Sequence, residues 1–163
     1  MHSRLFVISK NNMLVREITE QDLIDEGFTD RVADYVDEIK DEERKSEDIV
    51  NWLFPILKSM FEDLIELDEK EFSFKLKKGA TRKFLTHKLD KIERMLEEES
   101  RKENRDIRNL LYDIYLEIRD ECSFNFAYIE NDYVCWRCMD DFFEFEYNEE
   151  QTFYITQVYD YHH

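Results

Sequence analysis

The chain has 163 residues, and its 23 lysines and arginines stand against 40 aspartates and glutamates, a formal charge of −17. Two glycines and one proline exclude the glycine-rich loops of P-loop and Rossmann nucleotide sites, whose backbone amides must approach phosphate closely. The 15% aromatic content supplies rings for a packed core and argues against disorder by composition.

Residues 4–8 form a short apolar run between polar neighbours, the pattern of a buried strand. Thr19 is placed to cap a helix over residues 20–25, with Gly27 as its left-handed stop, and Val32, Tyr35, Val36 and Ile39 share one face of an expected helix over 30–39. The crowded charges of 41–48 read as a solvated connection. After it, apolar residues at three- and four-residue steps predict one long helix over 49–67, kinked or divided by Pro55. Phe72, Phe74 and Leu76 alternate with polar residues as in a strand exposed on one face. A helical hairpin is expected next, burying Leu85, Leu89, Ile92 and Leu96 in its first arm and Ile107, Leu110, Leu111, Ile114, Tyr115 and Ile118 in its second. A β-hairpin over 124–139 turns at Asn131-Asp132, residues 140–147 fit a short helix or a strand, and 152–159 predict a last strand. No repeat or linker divides the chain. The expectation is one α+β domain over residues 1–163, with a small, mainly antiparallel sheet covered by helices and more helix than strand.

Four fragments, Ser3-Arg4-Leu5-Phe6-Val7-Ile8-Ser9, Ala33-Asp34-Tyr35-Val36, Asp48-Ile49 with Trp52-Leu53, and Asp160-Tyr161-His162, together resemble a group of small acidic bacterial proteins that have no assigned function. The resemblance covers the first third and the extreme end. It implies a bacterial or phage-related cytoplasmic setting and a native Tyr161-His162 ending, leaves the origin of His163 open, and brings no catalytic residue or substrate.

Cys135 and Cys138 carry the one recognisable metal-ligand spacing, and Cys122, His162 and His163 are the residues available to complete a zinc site. Positions three apart in a strand face opposite sides, so the pair is read instead as small buried residues beside Trp136, and neither metal nor cofactor is expected. An odd cysteine count in a chain of this size suits a reducing compartment, hence the cytoplasm, and no stretch is apolar enough for a membrane span or a signal peptide.

Residues 75–94 carry a net charge of +6 and the remainder −23. On the predicted helix Lys83, His87, Lys91 and Arg94 form a basic stripe opposite the leucines, read as a solvated face or one paired with the protein's own acids. Direct nucleic-acid binding is not expected, because no aromatics interleave with these cations and the overall field repels phosphate. Trp136, Phe153, Tyr154, Tyr159 and Tyr161 are more rings than one face of a small sheet needs, and they are the candidate protein-binding surface, a ring-packed core being the alternative. The function expected is a non-catalytic cytoplasmic interaction module that binds a basic protein partner through an acidic, aromatic-bearing surface. Two alternatives stand beside it. The acidic segments 37–48, 62–71 and 140–150 can act as a nucleic-acid mimic that inhibits a DNA- or RNA-binding enzyme, and Asp68-Glu69-Lys70 resembles half of a metal-dependent hydrolase site. Neither the partner's identity nor the oligomeric state is legible here.

Overall fold

The computed structural model describes residues 2–12, 16–102, 106–119, 124–143 and 148–162. Strand β1 (His2–Ser9) is followed by helix α1 (Glu20–Asp25), which starts from a reciprocal cap. The Asp22 amide donates to the Thr19 hydroxyl oxygen at 3.2 Å and the Thr19 amide donates to the Asp22 carboxylate at 2.8 Å. Gly27, at φ +72°, turns the chain directly into the single-turn helix α2 (Phe28–Arg31).

The expected helix over 30–39 is corrected: beyond α2 the chain forms strand β2 (Tyr35–Glu38), paired with the last strand. The charged connection is itself helical, as α3 (Glu42–Glu47), because the Asp41 side chain accepts from the Arg44 amide at 2.8 Å and caps it. Helix continues through a wider π-helical stretch (Asp48–Leu53) into α4 (Phe54–Phe61). The widened turns lie immediately ahead of Pro55, where an α-helix would clash with the proline ring and leave a carbonyl without its donor. The long helix expected over 49–67 stops at Phe61, where Glu62 takes φ +52°. A short 3-10 turn leads into strand β3 (Ile65–Asp68), which pairs with β4 (Ser73–Leu76).

Helices α5 (Ala80–Ser100) and α6 (Ile107–Arg119) form the hairpin, strands β5 (Phe124–Glu130) and β6 (Tyr133–Cys138) pair antiparallel, a short α7 (Met139–Asp141) follows, and β7 (Thr152–His162) ends the described chain.

The architecture is α+β, with 47% helix and 31% strand, but the sheet corrects the expectation of a small, mainly antiparallel one. It is a seven-stranded mixed sheet of order β3-β4-β7-β1-β5-β6, with β2 beside β7. The β1–β5 pair is parallel, and β4 and β2 share one edge of β7, at its start and its end. Two of the strands, β2 and β3, come from segments whose apolar spacing reads as helical.

Both faces of the sheet are covered. One packs Phe6, Ile8, Phe74, Phe126, Phe153 and Val158 against Ile49, Leu53, Leu57, Phe61, Phe84, Phe142 and Phe143. The other packs Leu5, Val7, Val134, Tyr159 and Tyr161 against Ile18, Leu23 and Phe28. Strand β7, like β1, faces both cores by alternation, and its phase shifts midway: Val7 pairs with Gln157 while Ile8 pairs with Ile155, leaving Thr156 as an extra residue in a bulge. The extra residue reverses the alternation, so Phe153 and Ile155 face one core and Gln157, Tyr159 and Tyr161 face the other.

Candidate functional site

The five aromatic residues expected to form an exposed patch are not brought together on the surface. Phe153, Tyr159 and Tyr161 are 3%, 0% and 1% exposed. They lie in a strand paired along both edges and covered on both faces, so the excess of rings is needed for two cores rather than one. Tyr154 and Trp136 are half-buried. Trp136 meets the Phe28 ring edge-on at 5.2 Å and donates from Nε1 to the Glu26 carbonyl at 3.3 Å, which pins α2 to β6.

On the face of β7 that carries Gln157 and Tyr159, the structure has a cavity of about 330 Å³ lined by Glu17, Glu20, Glu38, Lys40, Gln157 and Tyr159 among others. Its walls come from three places: the segment entering α1, the end of β2, and the middle of β7. Gln157 joins them. Its amide exchanges hydrogen bonds with the backbone of Ile18, receiving from the amide at 3.0 Å and donating to the carbonyl at 3.1 Å. It also donates to the Glu38 carboxylate at 2.9 Å. The Glu38 amide donates to the Glu20 carboxylate at 3.3 Å, and the Tyr159 hydroxyl donates to the Ile18 carbonyl. Two of the three glutamates are thus held in place by neighbours while the cavity stays open. The field inside is negative: the Tyr159 phenol is pushed well above its ordinary value first by burial, then by the charges of Glu38, Glu20 and Glu17.

A second polar cluster lies on the opposite face of β7. Arg4, 6% exposed, donates from Nε to Asp48 and from Nη1 to Asp160, each at 2.6 Å. Its guanidinium carbon sits 5.1 Å from the centre of the half-exposed Trp52 ring. Arg44 and His2 reach Asp160 at 3.2 and 3.3 Å, and the His162 ring stacks on Tyr35 at 6.0 Å and lies 3.4 Å from Asp34. Residues of β1, β7, the start of β2 and the π-helical stretch thus meet in this cluster, and Arg4 joins the π-helical stretch to the sheet through Asp48 and Asp160. Asp48, an acid directly before the apolar stripe of 49–57, is the sequence signal that could have found it.

Cys135 pairs with Tyr128 and Cys138 with Asn125, which lie on opposite faces of β5. Cys138 caps α7 by accepting from the Asp141 amide, and burial pushes its thiol up. Cys122 and His163 lie outside the described residues, and His162 stands in the cluster around Asp160. Among the described residues no three of His, Cys, Asp and Glu are grouped to hold a metal ion, and no helix is long and apolar enough to cross a membrane. On α5, Lys83 pairs with Glu62 at 3.1 Å and Arg94 donates to the Asp90 carbonyl at 3.3 Å; His87 is half-buried and Lys91 exposed. No protein-family model, curated protein or solved structure matches the chain.

Proposed function

We propose that the protein is a non-catalytic interaction module that receives a basic segment of a protein partner, with a lysine or arginine side chain entering the cavity between α1, β2 and β7. The observation that carries this reading is the cavity itself, where Glu17, Glu20 and Glu38 converge against the single cation of Lys40 in a chain of net charge −17. Long-range attraction brings a basic partner to an acidic protein, and the fixed carboxylates supply the local specificity that net charge lacks.

A fluorescent peptide rich in lysine and arginine serves as the probe. The isosteric Glu17→Gln, Glu20→Gln double substitution is expected to weaken its binding about tenfold, as two partly exposed carboxylates at about 0.7 kcal/mol each imply. The Glu69→Gln, Glu71→Gln substitution, in the exposed turn between β3 and β4, removes the same charge and is expected to leave binding nearly unchanged. Equal losses from both would mean unspecific attraction to an acidic surface and would overturn the reading.

A further inference from the structure

The hairpin of α5 and α6 leaves its expected apolar stripes uncovered. Leu85, Leu89 and Leu96 are 46%, 66% and 48% exposed, and Ile107 and Leu111 are 63% and 60% exposed. The half-buried Ile92 and Met95 of α5 and Leu110 and Ile114 of α6 form the seam within the hairpin by helical periodicity, and the exposed residues flank that seam on the same side of both helices. Glu99, near the end of α5, accepts from the Asp106 amide just ahead of α6 at 2.7 Å, as expected of antiparallel neighbours. The steps 85, 89, 92, 96 and 107, 111, 114, 118 alternate by four and three, the spacing of helices that pack knobs into holes.

We propose that this face binds a second copy of the same chain, the two hairpins stacking about a two-fold axis perpendicular to the helices to form an antiparallel four-helix bundle. Charge selects the occupant and the orientation. In a chain of −17, residues 80–119 carry a net charge of only +1, so the mutual repulsion of two copies is least where the hairpins meet. Within α5, residues 80–91 are net +3 and residues 93–99 net −3. An antiparallel copy sets each half against its opposite, whereas a parallel copy sets like against like. Centring the two-fold between Leu89 and Ile92 brings Arg82, which flanks the leucine stripe, beside the partner's Glu97.

Sedimentation of the full chain tests this. At roughly 100 µM, a concentration suited to an interface at the small end of the usual range, the wild type is expected at twice the 20.2 kDa chain mass. Leu89→Glu, at a position exposed in the single chain, is expected to sediment as a monomer while keeping the wild-type circular-dichroism spectrum and a cooperative melting transition. Arg82→Glu is expected to weaken the dimer about tenfold, and adding Glu97→Arg to restore it. A wild-type monomer would overturn the proposal and leave the face to a different protein; a dimer indifferent to Leu89→Glu would place the interface elsewhere.

Discussion

Arg4 donates to two carboxylates from a site that water barely reaches, so removing either acceptor leaves a desolvated guanidinium half-paired. Asp48 is equally buried, and a buried pair broken on one side costs about 3 kcal/mol or more. Asp48→Ala is therefore expected to lower the unfolding free energy by that amount in a urea titration, and Arg4→Met with Asp48→Leu to recover most of it; an unchanged midpoint for Asp48→Ala would show that the pair contributes nothing net. The cap of α1 makes a prediction in pH. Asp22 is lowered from 3.8 to about 2, first by the hydrogen bond from Arg16 and then by those from the Thr19 amide and hydroxyl. A carboxyl whose folded value is depressed stabilises the fold fully above its unfolded value and loses that contribution as pH falls through the folded one. The melting-temperature gap between wild type and Asp22→Ala is thus expected to stay constant above about pH 4 and to close towards pH 2. A gap that persists at the acid end would mean that the cap acts through something other than the carboxylate charge.

Among the elements, β7 sets the architecture, and its bulge is what lets Phe153 and Ile155 face one core while Tyr159 and Tyr161 face the other. Deleting Thr156 would put Phe153 and Ile155 on the face of the smaller core, out of reach of Phe74 and Phe126. The deletion variant is expected to lose its cooperative melting transition by circular dichroism, while Thr156→Ser, which keeps the chain length and the hydroxyl that donates to the Val7 carbonyl, is expected to melt within a few degrees of wild type. Strands with clear alternation are legible in the sequence, as are the capping signal at Thr19 and the helical hairpin. The misread segments each satisfy two periods. In β2 the buried residues Ala33, Val36 and Ile39 are three apart because only the middle one lies in the paired strand, with its neighbours in the flanking loops. In β3, Ile65 and Leu67 alternate, yet Phe61, Leu64 and Ile65 continue the helical stripe of α4 until Glu62, at φ +52°, breaks it. Tertiary pairing decides between the periods, and local pattern does not contain it.

At the scale of the whole molecule, charge and apolar surface are distributed unevenly: a cavity with three glutamates lies at one place, and a nearly neutral hairpin with uncovered leucines at another. The excess of acid is legible in composition, but the cavity is not. Glu17 and Glu20 are separated from Glu38 by α1, α2 and a loop, and they meet only because β2 pairs with β7 and Gln157 bridges to Ile18. The aromatic surface fails as an expectation for a related reason, since one strand buried on both faces consumes rings that a one-faced sheet would have left exposed. A titration of the isotopically labelled protein with the basic peptide, followed by amide chemical shifts, tests the central claim most directly. Saturable shifts are expected at residues 17–21, 38–40 and 157–159, with small changes at Glu69 and Glu71. Shifts spread evenly over the acidic surface, or centred on the α5–α6 hairpin, would contradict it.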